Sequence, residues 1–188
     1  MDRADDVTFQ HLAELLREDV MVRDAGVMID SESGLISAFI VPRGLRTGPE
    51  LRQRAMRIAG DTAGRLQVVL VPGIPRKPDG SLDEVRGRVA IQTSGAVHRY
   101  ELPVTGIERS VVSLVGEVFP GRQVSVTDSV AGLGGDSLST LQLTSLIEER
   151  LGVYIPPQDA FGAESLRELA AAVGGLGCSD QVARDEGG

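Results

Sequence analysis

The stretch Gly132-Leu133-Gly134-Gly135-Asp136-Ser137-Leu138-Ser139 reads as a glycine-rich loop that feeds a helix. The glycines permit tight, left-handed backbone geometry. Asp136 and Ser137 fall at the helix start, where their oxygens can cap and where the first amide hydrogens have no partner inside the helix. A hydroxyl in that place is exposed, and the positive helix end beside it tolerates a phosphate. An isolated Asp-Ser at a helix start is normally only a cap, so the weight of this stretch depends on its surroundings.

Those surroundings are helical. After a boundary marked by Pro103 and Gly106, Ile107, Val111, Leu114, Val115 and Val118 share one helical face. A second helix begins at Ser137 and runs through Leu141, Leu146 and Ile147 to Leu151, with Gly152 as its stop. Residues 157–161 can make only a short helical turn. The last helix starts at Ser165, where Glu168 completes a capping box, and continues through Leu166, Leu169, Ala170 and Val173 to Gly174. The pattern predicts a four-helix bundle over residues 104–174, with a disordered tail over 175–188.

The first half of the chain alternates differently. Helical spacing over residues 8–16 precedes two strands, 20–29 and 35–41, around the turn Asp30-Ser31-Glu32-Ser33-Gly34. A helix over 49–59, opened by Pro49 and closed by Gly60, leads to a β-branched run over 65–71. The turn-rich stretch from Pro72 to Gly80 must be an exposed loop. Residues 1–88 therefore read as a small α+β unit with a short β-sheet. Residues 89–103 read either as a hairpin around Thr93-Ser94-Gly95 or as a linker. The fold class expected is α+β, a small sheet-containing subdomain followed by a four-helix bundle.

Composition narrows the function classes. With 3% aromatic residues and no Trp, both cores must be aliphatic. The net charge of −8 is uneven, because residues 104–188 hold 12 acidic side chains against 5 basic ones. Such a surface repels nucleic acid and anionic membrane and is steered toward partners with basic patches. The chain contains no apolar run long enough to span a bilayer, and its acidic start lacks the basic region of a signal peptide, so a cytoplasmic location is expected. Cys178 is the single cysteine and cannot form an internal disulfide. No Cys/His cluster has metal-ligand spacing, and no metal site is expected.

In its motifs and their order, the segment from Ile107 to Val173 resembles a peptidyl carrier (thiolation) domain of nonribosomal peptide synthetases. The resemblance is carried by Gly134-Gly135-Asp136-Ser137-Leu138, the preceding amphipathic helix and long loop, Gly152-Val153-Tyr154-Ile155-Pro156, Phe161 and Ser165-Leu166-Arg167-Glu168-Leu169. It implies that Ser137 receives a covalent 4'-phosphopantetheine from coenzyme A through a separate Mg-dependent phosphopantetheinyl transferase. It further implies that Gly134, Gly135, Asp136 and Leu138 belong to the motif that partners read. Adenylation, condensation or tailoring enzymes acting in trans are then the expected partners, and the carrier itself catalyses nothing. Its physics is tethering, which raises the local concentration of a bound intermediate. A polyketide-type acyl carrier is the alternative within this class, although Gly134-Gly135 resembles peptidyl carriers more.

A different class shares the letters. Gly135-Asp136-Ser137-Leu138-Ser139 also spells the nucleophile motif of GDSL esterases. A nucleophilic serine needs a base to take its proton, and no His follows Ser137. Ser139 also stands where Gly-x-Ser-x-Gly requires glycine.

Residues 14–86 resemble the C-terminal subdomain of adenylation domains, which normally precedes a peptidyl carrier. The trace is Ile74-Pro75-Arg76-Lys77-Pro78-Asp79-Gly80-Ser81-Leu82-Asp83, in which Ser81 occupies the position of that family's catalytic lysine. A short neutral hydroxyl cannot replace an ammonium that stabilises a carboxylate and an α-phosphate. The expectation is a catalytically inactive adenylation-like unit used for docking partners, with a complement to a separately encoded adenylation core and a folded relic as the alternatives.

Overall fold

Ile36 to Val41 carry no charge and are buried on both faces, the pattern of a central strand. In the computed structural model, which describes residues 3–93 and 97–185, this segment lies within β2 (Ile36–Pro42). β1 (Val22–Ile29) pairs with β2 antiparallel, and β3 (Leu66–Leu70) pairs with its other side in parallel. A parallel neighbour requires a crossover, supplied by α2 (Gly48–Ala59). Thr47 caps α2 by accepting from the Glu50 N–H, Pro49 sits in its first turn, and Gly60 ends it at φ 56°. α1 (Arg3–Glu18) and α2 bury Leu12, Leu16, Leu51 and Ala55 against Ala25, Ile40 and Val68 on one sheet face.

The opposite face holds Met28, Phe39, Val69 and Val71, covered by Ile74 and Leu82 from the long loop and by Ala90 and Ile91. The last two lie on α3 (Glu84–Thr93), and β4 (Val97–Arg99) follows as a fourth strand antiparallel to β3. Helix and strand thus stand where the sequence suggested a hairpin or linker over 89–103. The compact unit consequently runs Met1–Tyr100, not 1–88. The cause is a weak helical pattern. Gly87, Ala90 and Ile91 share the inner face, while Val85 and Val89 point to solvent and give the stretch the look of a β-branched strand. Gly87 allows the approach, since a Cβ there would lie 3.1 Å from the Phe39 ring. Ser94 and Gly95, the expected hairpin tip, lie outside the described residues.

The second compact unit is Glu101–Gly188. It contains α4 (Gly106–Val118), α5 (Ser137–Leu151), the short α6 (Pro157–Gly162) and α7 (Leu166–Asp185). Val111, Val115, Leu143, Ile147, Ile155, Leu166 and Leu169 fill one aliphatic core. α7 continues through Gly174 and Gly175 to Asp185, over most of the stretch expected to be a disordered tail. Glycine costs about 1 kcal/mol in a helix interior but keeps its N–H, so two glycines weaken this helix without stopping it. Among the described residues no helix is long and apolar enough to cross a membrane.

α4 begins with a capping box. Thr105 accepts from the Glu108 N–H, while the Glu108 carboxylate accepts from the N–H groups of Thr105 (2.9 Å) and Val104 (2.7 Å). Arg167 of α7 donates to the same carboxylate at 3.1 Å. The two backbone donors, with Arg167 behind them, hold the Glu108 carboxyl at about 2. A depressed folded-state pKa contributes stability that is complete above the unfolded value of 4.5 and is lost as pH falls toward 2. Unfolding free energy of the second unit is therefore expected to decline across that window. Glu108→Gln should flatten the decline, which denaturant titrations at pH 7, 4 and 3 would measure.

Candidate functional site

The loop before α5 is held by its own backbone and by two buried anchors. Val130 and Leu133 are each 1% exposed, set in the helical core. The N–H groups of Leu133, Gly134 and Gly135 donate to the carbonyls of Ser129, Ala131 and Val130 at 3.0, 2.9 and 2.9 Å. Gly134 has φ +83°, a conformation that side chains rarely adopt. Gly135 is excluded from substitution for a different reason, since a Cβ there would lie 2.7 Å from both the Val130 carbonyl oxygen and a Val130 methyl.

Asp136 is the extended N-cap of α5, and its carboxylate accepts from the Ser139 N–H at 2.9 Å. Ser139 answers by accepting from the Asp136 N–H at 2.7 Å and donating its hydroxyl to the carboxylate at 2.9 Å. These bonds from the Ser139 N–H and hydroxyl hold the Asp136 carboxyl below the usual carboxylate range. Thr140 donates its hydroxyl to the Asp136 carbonyl at 2.6 Å. The side chains of Asp136, Ser139 and Thr140 are thereby engaged within the turn.

Ser137, the first residue of α5, is different. It is exposed, and the described residues supply no hydrogen bond to its hydroxyl. The capping that the sequence assigned to the Asp136-Ser137 pair is done by Asp136 alone, which leaves Ser137 Oγ available at the positive end of a 15-residue helix. Leu138 is 75% exposed and Leu141 51%, an apolar flank beside that hydroxyl. The guanidinium of Arg122 comes within 3.8 Å of where a Cβ on Gly134 would stand, adding a cation near the loop. An attached phosphodiester fits here: the acceptor oxygen is free, the site is open, and the helix N-terminus favours an anion.

Gly134, Gly135, Asp136, Ser137 and Leu138 are thus brought together on one loop and helix start. Ser139, Thr140 and Arg122 were not singled out from the sequence. The first had a readable signal, because a polar side chain three residues after an Asp N-cap is the spacing of a capping box. At Ser165 the expected box is half formed: Ser165 accepts from the Glu168 N–H, but the Glu168 carboxylate accepts from the Glu164 N–H.

Ser81 lies in the first unit, in a tight turn closed by the Lys77 N–H donating to the Ser81 carbonyl at 2.8 Å. Its hydroxyl donates to Asp79 at 2.6 Å and its N–H to the same oxygen at 2.9 Å, holding that carboxyl below its ordinary range. The side chain at the position of the resembled lysine is therefore occupied in stabilising its own turn.

Residues 109–173 match the family model described as "Phosphopantetheine attachment site". An isonitrile lipopeptide synthase of Mycobacterium tuberculosis is 29% identical over 133 residues, covering 71% of this chain and 5% of that protein. A probable non-canonical nonribosomal peptide synthetase, CymA of Salinispora arenicola (strain CNS-205), is 31% identical over 165 residues, covering 86% of this chain and 2% of that protein. The chain therefore spans a very small part of the relatives it matches. The solved structure of McyG A-PCP complexed with phenylalanyl-adenylate shares 14% identity, covers 87% of this chain and 30% of that one, and has a TM-score of 0.37.

Proposed function

We propose that the chain, whose residues 109–173 match the phosphopantetheine attachment-site model, is a peptidyl or aminoacyl carrier for nonribosomal peptide biosynthesis, with Ser137 as the residue that bears the arm. The single observation that carries this reading is the exposed, unengaged Ser137 hydroxyl at the first position of α5, beside the engaged side chains of Asp136, Ser139 and Thr140. When bound, phosphopantetheine supplies a terminal thiol on a flexible arm, which holds an acyl or aminoacyl group as a thioester. The protein's own contribution is to present Ser137 Oγ rigidly, to set a phosphate in a favourable helix-end field, and to offer Leu138 and Leu141 as apolar contact for a phosphopantetheinyl transferase and the enzymes that follow. Relatives that are nonribosomal peptide synthetases favour a peptidyl over a polyketide-type cargo. The test is co-expression with a phosphopantetheinyl transferase followed by intact-protein mass spectrometry, which should show one added phosphopantetheine per chain.

The first unit is a docking platform in this reading, one that positions the carrier for adenylation, condensation or tailoring enzymes acting in trans. Ser81 supports the absence of adenylation chemistry, since its hydroxyl is bound to Asp79 and carries no charge. Amino-acid-dependent pyrophosphate exchange by this chain alone is expected to be at background, and exchange that disappears on Lys77→Ala, a change at the chain's single lysine four positions before Ser81, would overturn that expectation.

The second unit has its own core and every helix of the bundle, so residues 101–188 should fold without the first. That fragment is expected to accept phosphopantetheine at the rate of the full chain yet to serve its downstream enzyme several-fold less well. A second folded domain on the same chain can add contact area for a partner and raises the carrier's effective concentration beside it. Equal rates and equal half-saturation for the two, loaded with the same thioester, would remove the docking role.

A further inference from the structure

β1 is an edge strand, because the sheet order is β1-β2-β3-β4. The ladder parity shows which of its backbone groups face outward. The Asp30 N–H donates to the Leu35 carbonyl, and the register runs regularly from Asp24 to Ile29 against Val41 to Ile36. In an antiparallel pair, residues alternate between those bonded to the partner strand and those turned away from it. Asp24, Gly26 and Met28 therefore bond to β2, and Ala25, Val27 and Ile29 turn their N–H and C=O groups to the open side.

The chain closes part of that edge itself. Arg17 Nε donates to the Ala25 carbonyl at 2.9 Å, and the Ala25 N–H donates to the Asp24 carboxylate at 2.8 Å. Arg76 then holds Asp24 in place with bonds of 2.9 and 3.1 Å. Among the described residues no comparable cover reaches Val27 and Ile29. Beside them lies a groove of about 500 Å³ with a wall from α1, including Gln10 and Ala13, and a second wall from the turn bearing Lys77, Ser81 and Leu82. A strand edge with unpaired donors and acceptors is a template for another chain, and a helix beside such an edge forms a trough for an extended peptide.

We propose that this groove binds an extended segment of a partner polypeptide, which adds to β1 as a fifth strand by pairing with the backbone groups of Val27 and Ile29. Alternating donors and acceptors at strand spacing complement a peptide backbone and no other common ligand. At about 3.3 Å per residue, the Gly26–Ile29 floor accommodates roughly four residues. The Arg17–Asp24–Arg76 cluster blocks pairing at Ala25 and so fixes where the added strand must stop. Ser81, small where the resembled family carries a long lysine, leaves the trough open. This identifies the docking face of the first unit and rests on the docking role proposed above.

The probe is a set of pooled N-acetylated, C-amidated hexapeptides, with an N-methylated set as control, titrated into the ¹⁵N-labelled full chain. At least one pool should shift the Val27 and Ile29 amides, and the resolved peptide should show cross-strand contacts to β1 in nuclear Overhauser spectra. Ser81→Trp, which fills the trough from an exposed turn, should weaken binding at least ten-fold. Val27→Pro, which removes an outward N–H that an edge strand does not need for its own ladder, should do the same. The N-methylated pools should not bind. Absence of any shift at Val27 and Ile29 with every pool would overturn the proposal, as would binding unchanged in Val27→Pro protein whose β1–β2 amides remain protected. A platform that docks partners through another face would still separate the full chain from the 101–188 fragment while leaving these amides unmoved, so the two ideas fail separately.

Discussion

Ser137→Ala protein is expected to gain no phosphopantetheine under conditions in which the wild-type chain is fully converted. The expected loss is complete, because Ser137 Oγ is the exposed hydroxyl at the start of α5 that no described residue engages. The contrast that makes the result specific is Ser139→Ala. Ser139 is two residues away, but its hydroxyl accepts from the Asp136 N–H and donates to the Asp136 carboxylate. Its removal costs about 1 kcal/mol of capping and should leave the modification intact, with a modest fall in rate as the turn loosens. Ser137→Ala, by contrast, removes no hydrogen bond from the fold and should melt as the wild type does. Intact mass and thermal melting of the two variants side by side separate loss of an acceptor from loss of a turn.

Gly135→Ala should be the most damaging small substitution in the loop. The added methyl would stand 2.7 Å from the Val130 carbonyl oxygen, which is backbone and already accepts from the Gly135 N–H. Val130 is buried beside Leu133, so the clash must be relieved by shifting the anchored part of the loop. Overpacking of this kind costs about 2 kcal/mol, or roughly 10 °C in Tm for a domain of this size. Because the displaced segment leads directly into Asp136, modification of Ser137 should slow together with the loss of stability. Gly132→Ala is a useful control. Its added methyl would approach the Ser129 hydroxyl at 3.0 Å, a side-chain atom able to move. A Tm for Gly135→Ala within about 2 °C of wild type would show that the loop is not anchored as described.

How much of this was legible in the sequence depended on how locally each feature is encoded. The loop and the start of α5 were readable because left-handed glycine, N-cap and helix stop are signals spread over a few residues, and Gly152 does end α5 in the left-handed region. The strands on either side of Asp30 were readable for the same reason. α3 was not, because its inner face consists of one glycine and two short apolar contacts while its valines face water. α7 runs on past Gly174 because no proline or left-handed residue reinforces the stop that a glycine there suggests. The resting place of the Ser81 hydroxyl on Asp79 and the outward parity of Val27 and Ile29 depend on turn geometry and strand register. Neither is written at any one position. Composition indicates an acidic second half, whereas the placement of Ser137 at a helix N-terminus, where free amide hydrogens favour an anion, requires the fold.

The measurement that bears most directly on the central claim is site localisation of the modification. The full-length wild-type chain would be treated with coenzyme A, Mg²⁺ and a phosphopantetheinyl transferase, then digested and sequenced by fragment-ion mass spectrometry. A single phosphopantetheine is expected on the peptide spanning the Gly134-to-Leu138 turn, with the fragment series placing it on Ser137. An unmodified chain beside a fully modified control carrier, or an adduct on Ser129, Ser139 or any residue other than Ser137, would contradict it.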